Sequence, residues 1–313
     1  MMESFTLLLP NGGTVAGIHN IPPRSESPIQ WRPLVVGLHG GGYECHYFDA
    51  DSKHTASTSS NAYGVPFISI DRPCYGGTSS FLPVPEGSNF ITETGTWLHK
   101  YILPTLWSKF GIPNQCSCLV LFCHSLGAMY GTAAAAMHSQ DERPSYPLGG
   151  LICSGIGDVW QPQMYGNSVS EPYDPLGSSL FTPEVKDTLM FRPGTVHPDI
   201  LKLTERLGSP APLAELASLP ASWLPSWKEE WAVHVKAPVM FSLVEQEPFF
   251  MVSEERAKAC GEAFSSSLRV DSSFIMGAPH CMELSYWAQG WYARAFGFAM
   301  ECSAHVGLQS ASK

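Results

Sequence analysis

The nine residues from Leu121 to Met129, "LFCHSLGAM", decide the fold of this protein. Ser125 lies between an apolar run, "CLVLF" (118–122), and an alanine-rich segment, "LGAMYGTAAAAMHSQ" (126–140). A short continuous apolar run predicts a buried strand, and the alanine-rich segment predicts a helix that packs closely against it. Ser125 is therefore expected at a sharp turn between a strand and a helix.

The small residues around Ser125 suggest a nucleophile. "CHSLG" (123–127) has the form of the nucleophile elbow G-x-S-x-G, with Cys123 in the place of the first glycine. Strand and helix backbones nearly touch at such an elbow, so these two flanking positions must be small; Cys123 is small enough, and Gly127 fits. Because a serine two residues before a glycine also follows many ordinary strands, a structural serine stays open as an alternative.

The rest of the chain alternates between strand and helix patterns. Further apolar runs predict strands at 33–40, 65–71, 148–155, 237–247 and 268–280, and helical patterns lie at 92–111, 253–266 and 282–301. Near-continuous apolar strands separated by helices are typical of an α/β fold, in which a mostly parallel sheet is covered on both faces. Pro104 is expected to kink or shorten the helix at 92–111.

A proline-rich segment interrupts this alternation. Ten of the 26 prolines fall between 162 and 225, and the segment shows helical patterns but no strand pattern. We predict one domain, a core of residues 1–159 and 237–313, with a helical cap inserted at 160–236. In the cap, Trp223, Trp227 and Trp231 are spaced by four residues, which fits either a packing face or a wall above an apolar pocket.

Composition narrows the class of protein. Of the 313 residues, 44% are hydrophobic and 15% charged, and the net charge is −10 without a run of Lys or Arg. Nucleic acids and anionic membrane surfaces are therefore poor partners. The start, "MMESFTLLLP", lacks the basic region and long apolar stretch of a secretory leader, and no apolar run is long enough to span a membrane.

The cysteines point to a reducing compartment. The nine cysteines are scattered, and Cys116 and Cys118 are the only close pair, with no second pair at zinc spacing. We expect a cytoplasmic protein without disulfides, structural metal or cofactor.

Three further features follow predicted strands. "LHGGGYECHYFDA" (38–50) contains three glycines that can offer free backbone N–H groups and let a substrate approach closely, with His39 anchoring the loop. "VEQEPFF" (244–250) carries carboxylates, and "GAPHCMEL" (277–284) places His280 before a helix. Taken singly, these segments could be a flexible turn, a solvated turn and a capping histidine.

Their order along the chain is more specific than any one of them. A glycine loop, a serine, an acid and a histidine, each at the end of a strand, follow one another as in the α/β-hydrolase superfamily, which the chain resembles from about residue 33 to 300. "IDRPCYGGTS" (70–79) is similar to that family's Asp-x-Arg-Gly-x-Gly-x-Ser loop, with Pro73 and Cys74 departing from it. The nearest resemblance is to esterase- and thioesterase-like hydrolases of fungal polyketide pathways.

The resemblance implies roles for particular residues. Ser125 attacks a carbonyl carbon, and His280 takes the serine proton and later delivers it to the leaving group. The N–H groups of Leu126 and of Gly41, or alternatively Gly42, hold the oxyanion.

The acid of the triad has two candidates. The family usually has Gly-Glu-x-Asp after the preceding strand, and here "VEQE" (244–247) puts Glu247 in the position of the aspartate, one methylene longer. Some family members place the acid after an earlier strand, where this chain has Asp158. We place Glu247 first and Asp158 second, and we expect Glu245 to be structural.

Aromatic residues suggest the substrate. Tyr43, Trp160 and Phe249 are predicted to contact it, and they favour a bulky apolar or aromatic acyl group in an ester, lactone or thioester. Two alternatives stay open: a same-fold acyltransferase, cyclase or carbon–carbon bond hydrolase of secondary metabolism, and a non-catalytic protein that binds a small ligand. A tryptophan-rich cap exposed to solvent could also pair with a second copy as a homodimer.

Overall fold

Ten strands lie in the part of the chain that the computed structural model describes, residues 2–164 and 173–311. They are β1 Glu3–Leu8, β2 Thr14–Asn20, β3 Arg32–Leu38, β4 Phe67–Ile70, β5 Cys116–His124, β6 Leu148–Ser154, β7 Ser178–Ser179, β8 Ala211–Pro212, β9 Val239–Gln246 and β10 Val270–Pro279. Eight form one sheet in the order β1-β2-β4-β3-β5-β6-β9-β10, and β7 pairs with β8.

The central sheet is mostly parallel. β1 and β2 are antiparallel to each other, and β2 is antiparallel to β4, whereas β4, β3, β5, β6, β9 and β10 run in the same direction. Parallel strands end at the same edge of a sheet. The residues that follow β3, β5, β6, β9 and β10 therefore meet at one edge.

Ten α-helices accompany the strands within the described residues. They are α1 Ser57–Tyr63, α2 Phe90–Thr96, α3 Leu103–Leu106, α4 Leu126–Gln140, α5 Pro183–Met190, α6 Pro198–Leu201, α7 Leu213–Ser218, α8 Leu224–Glu230, α9 Glu254–Glu262 and α10 Ala288–Ala311. Short 3-10 turns and three π-helical turns, Trp97–Ile102, Trp107–Gly111 and Leu219–Trp223, connect some of them. None of the helices in these two ranges is long and apolar enough to cross a membrane.

Helices cover both faces of the sheet, which confirms the predicted α/β class. Residues of α2, α4 and α9 pack in one apolar cluster with the side chains of Leu34, Leu121 and Leu151. Residues of α10 pack in a second cluster with Val35, Val120 and other side chains that point to the opposite face. Successive side chains of a strand point to opposite faces, so strands buried on both sides have the near-continuous apolar sequence from which they were predicted.

Pro104 does not end its helix. Helical structure continues from Phe90 to Gly111, with π-helical turns on either side of Pro104. The N–H of Leu103 bonds to the carbonyl of Leu98, five residues back, so the bonding pattern is already widened before the proline ring. Of the two predicted effects of Pro104, a kink or an early end, the early end is therefore wrong.

The cap, residues 160–236, lies between β6 and β9 and contains α5 to α8; its residues 165–172 lie outside the described ranges. Trp223, Trp227 and Trp231 are buried in the first apolar cluster, and the rings of Trp223 and Trp227 stack with centroids 5.4 Å apart. The tryptophan stripe is therefore a packing face. These buried rings offer no exposed tryptophan surface for the predicted homodimer, which stays a prediction. The division into core and cap stays a prediction.

Candidate active site

Ser125 lies at the turn between β5 and α4. Its backbone has φ 52° and ψ −125°, a conformation that residues with a side chain rarely adopt. The turn is held because the N–H of Ser125 bonds to the carbonyl of Ser154 at the end of β6, at 2.7 Å. Such strain is typical of a functional position, where the surrounding structure forces the backbone to present a side chain.

Small residues on both sides of Ser125 allow the turn. A Cβ atom on Gly127 would lie 2.3 Å from the carbonyl oxygen of Leu38, so no larger residue fits there. Cys123 is fully buried, and a Cβ atom on Gly131 of α4 would lie 2.4 Å from its sulfur. The cysteine in the first position of the elbow is thus accommodated by a glycine in the second turn of the helix.

The register of β9 and β10 places Glu247 beside His280. Gln246 pairs with Pro279, so the next residue of each strand lies at the same level of the sheet edge. This pairing depends on a bulge, because Ile275 pairs with Val244 only two residues before Gln246. Two extra residues of β10 are therefore looped out between these pairs.

Glu245 stabilises the bulge. Its Oε2 accepts a hydrogen bond from the N–H of Gly277 at 2.6 Å, and Gly277 has φ +72°, which favours glycine. Glu245 therefore has the structural position expected for it, and its contact helps to bring His280 level with Glu247.

Three side chains form a hydrogen-bonded chain. His280 Nδ1 lies 2.7 Å from Glu247 Oε2, and His280 Nε2 lies 3.1 Å from the Ser125 hydroxyl oxygen. A carboxylate only accepts hydrogen bonds, so Nδ1 carries the hydrogen and Nε2 is free to accept the serine proton. Glu247 and His280 are 3% and 2% exposed, so solvent competes little for these contacts.

The second carboxylate oxygen of Glu247 is also held by a hydrogen bond. Its Oε1 accepts a hydrogen bond from the N–H of Phe249 at 3.1 Å, and the Phe249 ring packs edge-on against His280 with centroids 4.9 Å apart. The extra methylene of glutamate therefore does not prevent the contact with His280.

Asp158, the second candidate acid, lies elsewhere. One of its oxygens is 2.9 Å from Lys228 Nζ in the cap, and the other is 3.2 Å from Arg256 Nη1 at α9. Its contacts are those of an ion-pair anchor between cap and core. The structure brings Glu247, and not Asp158, to His280.

The glycine loop after β3 borders the serine. A Cβ atom on Gly40 would lie 2.9 Å from Ser125 Cβ, and Gly41 and Leu126 line a cavity together with Ser125. The N–H of Gly41 has no acceptor in residues 2–164 and 173–311, and the N–H of Leu126, at the first position of α4, has no acceptor within the helix. The carbonyl of Gly42 accepts a hydrogen bond from the N–H of Ser209 in the cap at 3.0 Å, and Gly42 is not among the described residues that line the cavity.

His39 anchors this loop. The ring is fully buried, with Nδ1 2.8 Å from the carbonyl of Gly40 and Nε2 3.2 Å from the N–H of Arg72. Burial, together with the charge of Arg72, lowers the pKa of His39 well below its ordinary value. The ring is thus neutral, donating from Nδ1 and accepting at Nε2, in a structural contact.

A cavity of about 770 Å³ opens above Ser125. Its wall is mainly apolar and comes from the core and from α5 and α7 of the cap. The described lining residues are Gly41, Ser125, Leu126, Trp160, Met164, Ser179, Phe181, Glu184, Val185, Thr188, Leu189, Met190, Leu213, Leu216, Leu219, Phe249 and Phe250. Trp160 and Phe249, both predicted to contact substrate, are among them, and Glu184 is the one charged side chain of this set.

Tyr43 does not line the cavity. Its ring is buried against Tyr47 with centroids 4.9 Å apart, and Lys186 Nζ lies 4.6 Å from the ring centre. Its hydroxyl lies 3.5 Å from the Sγ of Cys281, the residue after His280. The prediction that Tyr43 binds substrate is therefore corrected: the chain after the glycine loop turns into the core.

A buried polar cluster lies behind His280. The ring of His124 packs 4.9 Å from that of His280, and its Nδ1 lies 3.2 Å from Ser154 Oγ and 3.5 Å from Glu283 Oε2. Burial, and to a lesser extent the nearby His280 and His39, lower the pKa of His124 well below its usual value. Burial also raises the pKa of Glu283, against the hydrogen bonds that its carboxyl accepts.

One cluster has the residue types of a metal site. Ligand atoms of Glu44, Cys45 and His46 lie within 4.8 Å of one another. Glu44 accepts hydrogen bonds from both neighbours, and it caps the short helix that follows through the N–H of His46. Burial and nearby carboxylates raise the pKa of the Cys45 thiol, which keeps it protonated and a poor ligand.

Sequence reasoning missed the cap residues of the cavity. Met164, Phe181, Leu213, Leu216 and Leu219 line it, although they come from segments with no recognisable motif. Apolar residues on short helices have the same pattern whether they face a core or a cavity, so periodicity alone could not have identified them.

The chain belongs to the alpha/beta hydrolase family, whose model matches residues 35–294. It is similar in fold to a soluble variant of monoglyceride lipase from Saccharomyces cerevisiae, with TM-score 0.64 and 12% identity over 97% of this chain and 95% of that one. E-2-(acetamidomethylene)succinate hydrolase matches with TM-score 0.63 and 15% identity over 96% and 100% of the two chains.

A third similar structure is a mutant of the N-acyl homoserine lactonase AidH complexed with N-hexanoyl homoserine, with TM-score 0.60 and 14% identity over 97% of this chain and 98% of that one. At these identities the likeness shows the fold. None of the curated proteins matches the chain.

Proposed function

We propose that the protein is a serine hydrolase that cleaves an ester, lactone or thioester of a bulky apolar, polyketide-like acyl group. The observation that carries the proposal is the chain Glu247–His280–Ser125, hydrogen-bonded at 2.7 and 3.1 Å, at the base of an apolar cavity. A nucleophile, a base and a group that orients the base within hydrogen-bonding distance are the signature of an activated serine.

The proposed reaction has two halves. The Ser125 oxygen attacks the substrate carbonyl carbon while its proton passes to His280 Nε2, and the negative oxygen is held by the N–H groups of Gly41 and Leu126. The leaving alcohol or thiol takes the proton from His280, which leaves an acyl group on Ser125. Water, deprotonated by His280, then releases the acid and restores the serine.

The lining of the cavity favours a substrate with an uncharged apolar acyl group. Its described wall has no cationic side chain, and Glu184 would repel an anionic one. A volume of about 770 Å³ accommodates a drug-sized molecule. The nine cysteines, most of them buried, fit the cytoplasmic setting that forms part of the proposal.

The proposal is tested by labelling with an alkyl fluorophosphonate, followed by mass spectrometry of the adduct. We expect the wild type to be labelled on Ser125 and Ser125→Ala not to be labelled. His280→Gln should be labelled far more slowly although it keeps the serine. Turnover of a p-nitrophenyl octanoate ester should fall by on the order of 10⁴-fold or more in both variants, because nucleophile and base act as one unit.

Thermal melting controls for folding of the variants. A folded wild type without adduct would contradict an activated serine and favour the non-catalytic binding protein. Product analysis with and without added alcohol separates hydrolysis from acyl transfer: transfer would appear as a new ester at the expense of the free acid.

A further inference from the structure

A buried ion pair joins the cap to the core. Arg72, in the loop after β4, bonds through Nη1 to Glu215 Oε1 of α7, and both side chains are 0% exposed. The hydroxyl of Tyr75 donates to the other oxygen of Glu215. Burial is the largest single influence and lowers the pKa of Arg72, but the charge of Glu215, its hydrogen bond and the neighbouring Tyr75 and Tyr130 together outweigh burial, so the pKa lies above its usual value. Removing one partner would leave a buried charge unpaired.

The other side of the same guanidinium holds the glycine loop. Arg72 Nε donates to the carbonyl of His39 at 2.8 Å, and Nη2 donates to the carbonyl of Gly40 at 3.3 Å. The Gly40 carbonyl also accepts from His39 Nδ1 at 2.8 Å. Arg72 therefore connects Glu215 of the cap directly to the peptide that precedes Gly41.

That peptide contains the proposed oxyanion donor. The carbonyl of Gly40 and the N–H of Gly41 belong to one planar trans peptide unit, so they point in opposite directions. Donors that hold the Gly40 carbonyl therefore aim the Gly41 N–H, and Gly41 borders the cavity beside Ser125. Hydrogen bonds to the carbonyl also polarise the peptide and strengthen its N–H as a donor.

We propose that Glu215 is a positioning residue of the cap, which acts through Arg72 to aim the Gly41 N–H at the oxyanion. This inference rests on the proposed function, since it assumes acyl chemistry at Ser125. The same helix α7 places Leu213 and Leu216 in the cavity wall. One short helix thus contacts the acyl group and holds the group that orients the oxyanion donor.

The test compares Glu215→Gln, which keeps the shape of the side chain, with Lys228→Met. Lys228 also links cap and core, through Asp158 at 2.9 Å, but it is 36% exposed and its contacts are outside the glycine loop. We measure kcat and KM for p-nitrophenyl octanoate. We also measure the affinity of an octyl trifluoromethyl ketone and of the corresponding secondary alcohol. Ser125 adds to the ketone carbon, its proton passes to His280, and the carbonyl oxygen becomes an oxyanion.

In Glu215→Gln we expect kcat to fall about 10- to 100-fold, with KM within about 3-fold, because the oxyanion contact is made in the transition state. Affinity for the ketone should fall by a factor similar to that of kcat. Affinity for the alcohol should stay unchanged, because the alcohol forms no oxyanion. Lys228→Met should change each value by less than about 3-fold.

Three outcomes overturn the inference. An active wild type with unchanged kcat and ketone affinity in Glu215→Gln rejects the inference alone, and so does an equal loss of ketone and alcohol binding. A wild type without turnover or fluorophosphonate adduct rejects the proposed function and this inference with it.

A second variant covers the case in which Glu215→Gln does not fold. Tyr75→Phe removes only the hydroxyl donor to Glu215 and leaves the ion pair, so a loss of roughly 3- to 10-fold confined to kcat supports the inference. An unchanged kcat in that variant overturns it.

Discussion

The sheet edge that carries Ser125, Glu247 and His280 and the cap above it are built by different rules. Ser125, Glu247 and His280 each follow the last residue of a parallel strand, and the pairing of those strands sets their distances. The cap wall comes largely from short helices, α5 and α7, whose positions depend on packing and, for α7, on the ion pair between Glu215 and Arg72 of the core.

The comparison indicates that the sheet edge sets the chemistry of the site and that the cap sets which substrates fit. A strand end is fixed by backbone hydrogen bonds, which are insensitive to the identity of side chains along the strand. A helical cap is fixed by side-chain volume and charge, so substitutions in its wall alter the space above Ser125. We expect variants of the edge to abolish turnover and variants of the cap wall to change substrate preference. Glu215 is the exception in the cap, because it reaches the glycine loop through Arg72.

The largest effect distinguishes the two carboxylates. Glu247→Gln should lower kcat by about 10³- to 10⁴-fold, because the amide cannot hold His280 as the charged carboxylate does. Asp158→Asn, a matched carboxylate-to-amide change, should stay within about 3-fold in kcat, since it loses only partly exposed ion pairs. Steady-state kinetics with p-nitrophenyl octanoate gives both values. The reverse pattern would place the triad acid on β6 and break the assignment of Glu247.

An intermediate effect is expected at the cap wall. Leu216→Ala enlarges the cavity and should lower kcat/KM for the octanoate ester about 10-fold, while the acetate ester changes less than about 3-fold. Leu201→Ala, at an exposed leucine of α6 outside the cavity wall, is the control and should leave both esters as in the wild type. An equal loss for both esters would mean that the Leu216 side chain supports the chemistry and does not contact the acyl group.

The smallest effect is a pH dependence of stability. Folding lowers the pKa of His124 below its ordinary value of 6.5. As the pH drops below about 6.5, the unfolded chain therefore binds a proton at this histidine and the folded chain does not. The free energy of unfolding should therefore fall as pH drops below about 6.5, by at most about 1.4 kcal/mol per pH unit from this group.

His124→Gln should flatten that slope in urea unfolding between pH 7 and pH 5. His197→Gln, at a partly buried histidine of the cap, serves as the control and should keep the wild-type slope. A slope unaltered by His124→Gln would assign the acid sensitivity to other groups and remove this distinction between edge and cap.

Much of the edge could be predicted from the sequence, because each of its residues follows a strand pattern. The apolar run before Ser125, the glycine loop and the segments that carry Glu247 and His280 could be ordered along the chain without coordinates. Their convergence then follows from the geometry of parallel strands, which end at one edge.

Other features of the edge could not be predicted. The bulge in β10 that brings His280 level with Glu247 depends on a contact between Glu245 and Gly277, which are 32 residues apart. Tyr43 follows the glycine loop in sequence but turns away from the cavity, since its ring packs against Tyr47. Neither the bulge in β10 nor the inward turn of Tyr43 is indicated by the sequence around it.

The sequence by itself determined the class of fold and the order of the candidate catalytic residues, because hydrophobic periodicity and small residues at close backbone approaches are local properties. Only the tertiary structure decided which acid meets His280, which side chains wall the cavity and how Glu215 reaches the glycine loop through Arg72. These are contacts between distant segments, and they depend on register and packing that no single segment encodes.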